Sequence, residues 1–359
     1  MNPDFNTVIQ ASDDERRGLF LTAAARLGTT VQNIEKDFWV CWTLDALFSG
    51  LPPDGPRLLF KGGTSLSKAF GIISRFSEDI DITVFRQDLG EPIEAEHLDA
   101  LSGKQRRIRL DRIRNACQRY IAEGMAPQLR EIAEQIMPAD RFRLDLDPDD
   151  PDQQTLLFWY PVVSAATDGY IRSAVKIEAG AKSALDPHEA ATVIPYAADD
   201  LPDLDMAVHN ITTVKPERTF WDKIIIVHGL RQWHDRRGQL RQGGQRVSRH
   251  YYDIYRLLQH PNVATWVTDR DLAQDCARHA RLFFGSPDLG LDSAVPGTFT
   301  LVPPQPMQEA LARDYGAMMG MIFGDAPSFD AILATVRGLE QTINAACAQA
   351  GAYSPVCPQ

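Results

Sequence analysis

Two aspartates two positions apart, Asp79 and Asp81, are the side chains with the most chemistry to offer. They lie in Asp79-Ile80-Asp81-Ile82-Thr83-Val84-Phe85, where polar and apolar residues alternate with the period of a half-buried strand. Residues i and i+2 of a strand share a face, so the two carboxylates project together while Ile80, Ile82 and Val84 bury the other side. Like charges this close repel unless a cation or hydrogen bonds compensate them. Hard oxygen ligands at this spacing suit Mg²⁺, which takes one or two protein carboxylates and leaves room for water and substrate phosphates. An exposed strand with two solvated acids gives the same pattern, so the pair needs a second feature to be specific.

The segment just upstream supplies one. Leu58–Phe60 is a short apolar run ending in Lys61 and the pair Gly62-Gly63, which predicts a buried strand entering a turn. Thr64 or Ser65 is then expected to cap a helix running to about Ile73. Glycines let backbone approach a ligand closely, and amides at a helix start favour an anion. Lys61 flanks the turn and Lys68 follows Thr64 by one helical turn. Fourteen positions separate Ser65 from Asp79, room for a short helix and a return to the sheet. A glycine turn that cradles a triphosphate, followed by a strand that supplies metal ligands, is more specific than either part.

The elements needed to hold these residues can be read from pattern. Residues 12–27 and 31–49 have helical periodicity, and the aromatic residues of the second are expected in the core. Residues 101–136 read as an inserted helical pair. Strands are expected at Arg141–Leu146 and Thr155–Val163, a hairpin across DPDDPDQQ, and again at Ile171–Ala179. Residues 181–205 read as loop, followed by a strand at about Met206–Val214. Pro216-Glu217 marks a helix start, and that helix is expected to reach about Leu230. A further helix spans about Ser248 to Leu258, and residues 264–350 are mainly helical apart from a Gly/Pro-rich break at 285–305. The class is α+β: N-terminal helices over 1–50, a mixed sheet-and-helix core over 51–215 with its insertion at about 100–137, and a helical C-terminal region over 216–359.

Bulk properties exclude several functions. With 44% hydrophobic and 24% charged residues, composition is ordinary for a globular chain. No run approaches the ~18 apolar residues of a membrane span, and the polar, acidic N-terminus lacks the order of a secretory signal. Five scattered cysteines form no CxxC pair, which points to reduced thiols and a cytoplasmic setting. A net charge of -11 disfavours a dedicated duplex-DNA binder. Arg231, Arg236, Arg237, Arg241, Arg246 and Arg249 nevertheless face a single acid, Asp235, between 231 and 250. Such a segment is either a polyanion contact or a solvated loop.

FKGGTSLSKAF and RFSEDIDITV together resemble the signature of the AbiEii/AbiGii nucleotidyltransferase toxins, a branch of the DNA polymerase β-like nucleotidyltransferase superfamily. Glu35-Lys36-Asp37-Phe38-Trp39 resembles the family's N-terminal helix, Pro216–Lys223 its Glu-x(5)-Lys helix, and Arg249–Tyr255 its Arg-x-x-x-Asp helix. The resemblance implies a polymerase β-like core with Asp79 and Asp81 as the metal pair. It makes Lys61, Gly62, Gly63, Thr64, Ser65 and Lys68 the phosphate-binding turn, Lys223 a phosphate contact, and Asp253 an acid required for activity. A third carboxylate on a neighbouring strand matches best at Glu178, with Lys176 on the same strand face. Ser77 matches a position that some members modify on themselves, although a plain turn hydroxyl reads equally well. The long spacing between Lys223 and Asp253 suggests an insertion carrying Arg236, Arg237, Arg241, Arg246 and Arg249 as RNA contacts.

The implied activity is Mg²⁺-dependent transfer of a nucleoside monophosphate from an NTP to RNA, with a tRNA 3′ end as the implied acceptor, by a phage-defence toxin with a cognate antitoxin. The rival readings are a phosphotransferase or protein-nucleotidylating enzyme on the same site, and a non-catalytic nucleotide-binding interaction protein.

Overall fold

A computed structural model describes residues 1–164, 173–241 and 246–348 of the chain. The chain divides into two compact units, Met1–Lys215 and Pro216–Gln359.

The first unit begins with α1 (Asp4–Gln10), α2 (Asp13–Leu27) and α3 (Val31–Asp45). It continues through β1 (Leu58–Lys61), α4 (Gly62–Lys68) and β2 (Asp79–Val84). Then come α5 (Ala95–Asp99), α6 (Gly103–Tyr120), α7 (Ala126–Glu134), β3 (Arg143–Leu146) and β4 (Thr155–Trp159). The unit closes with β5 (Ala174–Gly180), β6 (His188–Val193) and β7 (Val208–Val214). All seven strands join one sheet in the order β3-β4-β5-β2-β1-β7-β6. β2 pairs parallel with β5 and β1 parallel with β7, while the other neighbours run antiparallel. The mixed sheet with its helices is the expected α+β class, and it places the Asp79–Asp81 strand in the middle.

α3 departs from the one-sided stripe that its sequence suggests. Every residue from Gln32 to Asp45 is buried, because the helix packs against β2, β5 and β7 as well as α2. Its aromatic residues are core, as expected: Trp39 stacks on Tyr160 with centroids 5.5 Å apart and Trp42 on Phe158 at 5.1 Å. A helix buried all round must pair any charge it carries, since an isolated buried ion is costly.

Three local expectations are corrected. α4 ends at Lys68 rather than near Ile73, and the chain turns at Gly71, whose φ is +61°. That helix starts at Gly62, so Thr64 and Ser65 lie inside it and neither is its cap. Residues 181–205 are not all loop, because β6 lies within them and forms the sheet edge against β7. The strand expected from Ile171 is described from Ala174, and residues 171–172 lie outside the described residues.

The second unit is helical: α8 (Pro216–Arg237), α9 (Ser248–Leu257), α10 (Val263–Thr268), α11 (Arg270–Phe284), α12 (Gln305–Met318) and α13 (Phe329–Ala348). α8 runs two turns beyond the expected Leu230. Its core holds Phe220, Trp221, Tyr251 and Tyr252, all at most 1% exposed. Among the described residues no helix is long and apolar enough to cross a membrane.

Candidate active site

Strand register builds the site. Across β2 and β5, Asp79 stands opposite Lys176 and Asp81 opposite Glu178; across β1 and β2, Lys61 stands opposite Asp81. Partners in register share a face, so Lys61, Asp79, Asp81, Lys176 and Glu178 form one polar field on three central strands. Ile80, Ile82 and Val84 are fully buried on the other face, as the alternation requires.

The glycine corner closes onto that field. Gly62 has φ +82°, a left-handed conformation that side chains resist. A Cβ there would lie 2.0 Å from Asp81 Oδ2, so the corner backbone rests directly against the carboxylate. A Cβ on Gly63 would lie 2.6 Å from Arg75 Nη2 and 2.9 Å from Ser77 Oγ. Both glycines are therefore there for close approach, and the second packs under the segment leading into β2.

Thr64 and Ser65 brace this corner. The buried Thr64 hydroxyl donates to the Asp79 carbonyl and lies 3.0 Å from Ser77 Oγ, while Ser65 Oγ donates to the Gly62 carbonyl at 2.9 Å. Thr64 thus ties the corner to the metal-candidate strand through its backbone. Lys61 Nζ is 4.0 Å from Asp81 Oδ1 at the open side. Lys68 goes elsewhere: it is buried, 2.7 Å from Asp37 Oδ1, with its ammonium 3.6 Å from the Tyr196 ring centroid. Its charge is neutralised within the fold rather than presented at the corner.

Charge in the field is unevenly balanced. Burial, then Glu78 and Glu178, push the Asp79 carboxyl up to about 6, with Asp81 adding to the rise and Lys36 opposing it. Partial burial works against the Lys176 ammonium, yet Glu178, Asp79 and Asp147 hold its pKa above the usual range. Lys176 Nζ meets Glu178 Oε1 at 2.5 Å and Asp147 Oδ2 at 3.8 Å. Among the described residues no three His, Cys, Asp or Glu side chains converge as a ready-made metal cage. Glu178 belongs to the field but is turned to its lysine.

Lys223 and Asp253 belong to the second unit, where they meet each other: Nζ to Oδ2 is 2.7 Å, and both are buried. Of the arginine-rich segment, residues 242–245 lie outside the described residues. Arg236 is exposed. Arg237 pairs with Asp288 at 2.5 Å, and Arg237 and Arg241 both lie 5.6 Å from the Trp233 ring centroid. Arg231 is paired with Asp235 at 2.9 Å. Arg246 and Arg249 are half-buried, and the Arg246 backbone amide donates to Asp314 at 2.7 Å.

Sequence pattern alone assigns no role to Arg75, whose guanidinium lies over Gly63, nor to the three successive charges of α3. The available signal is the run Glu35-Lys36-Asp37 inside an otherwise apolar and aromatic helix, where charge has to be answered by a partner.

A glycine corner thus packs against paired carboxylates at the centre of a mixed sheet. The sequence matches the family model described as nucleotidyl transferase AbiEii toxin, type IV toxin–antitoxin system, over residues 45–335. The chain therefore belongs to the AbiEii family of nucleotidyltransferase toxins. Among solved structures it is similar to MenT4, a nucleotidyltransferase toxin from Mycobacterium tuberculosis H37Rv, at 15% identity and a TM-score of 0.44, with 92% of this chain and 98% of that one covered. No curated protein matches the sequence. Membership implies an NTP substrate and a cognate antitoxin.

Proposed function

We propose that the chain transfers a nucleoside monophosphate from an NTP to RNA, with the 3′ end of tRNA as acceptor and Mg²⁺ held by Asp79 and Asp81. The observation that carries this reading is the apposition of Gly62 and Asp81, which brings the backbone assigned to phosphate against the carboxylate assigned to the metal.

The donor set fits magnesium. Both ligands are hard carboxylates on one strand face, and Asp79 is pushed up to about 6 by burial and neighbouring acids that a cation would compensate. When bound, Mg²⁺ would offset phosphate charge and polarise the α-phosphoryl group. The chain's own residues do the remainder. The Gly62-Gly63 backbone receives the phosphates, with Thr64, Ser65 and Ser77 fixing its shape. Lys61 and Lys176 balance negative charge at the rim. Glu178, orientated by Lys176, accepts the acceptor hydroxyl's proton as the new O–P bond forms at the α-phosphorus and the bond to pyrophosphate breaks. Lys223, anchored by Asp253, is assigned to nucleotide phosphate through its match to the family motif. The exposed arginines are assigned to the RNA backbone, and the setting is a cytoplasmic defence against phage.

Incubation of the protein with each α-labelled NTP, Mg²⁺ and total RNA tests the proposal. Label is expected on a tRNA-sized species, removable by a 3′ exonuclease and abolished by EDTA. Label confined to protein, or transfer only from γ-labelled NTP, would replace it with protein nucleotidylation or phosphoryl transfer.

A further inference from the structure

α3 carries Glu35, Lys36 and Asp37 in succession, each at most 2% exposed. Successive helical residues fan out by about 100°, so the three side chains reach three different segments. Glu35 accepts the backbone amides of Val163 at 2.7 Å and Ser164 at 3.1 Å, just beyond β4. Asp37 takes the Lys68 ammonium at 2.7 Å and the Tyr196 amide at 2.6 Å, holding the end of α4. Lys36 Nζ lies 2.6 Å from Glu78 Oε2, the side chain immediately before Asp79.

We propose that Lys36 is a positioning residue for the metal-binding strand, acting through Glu78, and that the α3 charge triplet as a whole sets the frame of the site. Glu78 is buried and reaches α3, and the charges of both Glu78 and Lys36 act on Asp79. Held there, it fixes the rotation of β2 at its first residue and so the direction of both aspartates. The Lys36 charge also offsets an acid adjacent to a site that is already rich in acids. Because the pair is buried, neither group can find water as an alternative partner. Glu35 and Asp37 do the same for the strand end beyond β4 and for the helix that carries the glycine corner.

This inference rests on the metal-site reading above. It is tested with the double variant Lys36→Met/Glu78→Gln, which removes both charges of the pair at similar volume. Melting curves establish folding, direct titration with Mn²⁺ measures the site, and kcat and KM for NTP are compared. The double variant is expected to fold, to bind Mn²⁺ ~10–100-fold more weakly and to lose kcat by a similar factor with KM little changed. Lys36→Arg, which keeps the charge, is expected to recover part of both losses. Should the double variant not fold, Glu78→Gln alone, which keeps an acceptor for Lys36 but removes its counter-charge, is expected to show smaller losses in the same direction. Parental Mn²⁺ affinity and kcat in a folded variant lacking the pair, or an arginine variant as impaired as the double, overturns the proposal. Failure of the parent protein itself to bind Mn²⁺ would overturn the metal-site reading instead.

Discussion

Asp79 is held in a state that costs the metal-free protein stability. An acid whose folded pKa lies above its unfolded one binds more protons when folded, so stability is lost as pH rises from 3.8 through about 6. Asp79→Asn removes that titration. The variant is expected to lose transfer activity by ~10²–10³, while its melting temperature without metal, compared with the parent, climbs between pH 4 and pH 7. A difference that stays flat across this window would mean the carboxyl is not strained by its neighbours. Saturating Mg²⁺ should stabilise the parent at pH 7 and leave the asparagine variant almost unmoved. The two glycines with positive φ near the site separate strain from contact. Gly71→Ala adds a methyl group to open space at φ +61°, so it should cost ~1 kcal/mol of stability and spare activity. Gly62→Ala drives the same group into Asp81 and should cost ~10²-fold in kcat as well. Equal activities for the two variants would remove the corner from the catalytic account.

How far each element could be read in advance depends on whether its side chains or its backbone specify it. β2 was legible because one face is fully buried and the alternation is strict; β1 and the glycine corner were legible from an apolar run with an abrupt stop. β6 was not, since His188, Glu189 and Ala190 are exposed and the strand is defined by backbone pairing to β7, with an irregularity between Ala191 and Val193. The ion pair of Lys36 was hidden for a different reason: its partner lies 42 positions away, and no local period reports so distant a pairing. The extra length of α8 was missed because its last turns are polar and basic. Within that helix His228 makes a fixed pattern. Its Nδ1 accepts the Thr300 amide at 3.1 Å and its Nε2 donates to the Gly290 carbonyl at 3.2 Å. Both bonds together need a neutral ring, and burial lowers its pKa accordingly. The unfolded chain then binds the extra proton, so stability is lost as pH falls below the ordinary histidine value of 6.5. His228→Gln should flatten the parent's loss of melting temperature between pH 7 and pH 5, and an unchanged slope would point to another titrating group.

Over the whole molecule, a net charge of -11 works against approach of the proposed RNA acceptor, so its binding would rely on a local positive surface. The arginine-rich segment of the second unit is the one proposed above to supply it, but its members are not equivalent. Arg231 and Arg237 are paired with Asp235 and Asp288, and a charge already answered by a carboxylate releases fewer counterions from RNA. Arg236 and Arg241 are exposed on the same stretch, with Arg241 also lying near the Trp233 ring. They are expected to carry most of the electrostatic attraction. Reversing both, Arg236→Glu/Arg241→Glu, should raise the KM for RNA while leaving the KM for NTP and the melting temperature close to the parent. The slope of log affinity against log salt should shrink by ~0.7 for each single-strand phosphate that is no longer neutralised. Reversal of Arg231 and Arg237 instead should change that slope less, at the expense of their ion pairs. A parental salt slope in the Arg236/Arg241 variant would show that RNA is recruited by another surface, and the segment would then be only a solvated, locally paired stretch.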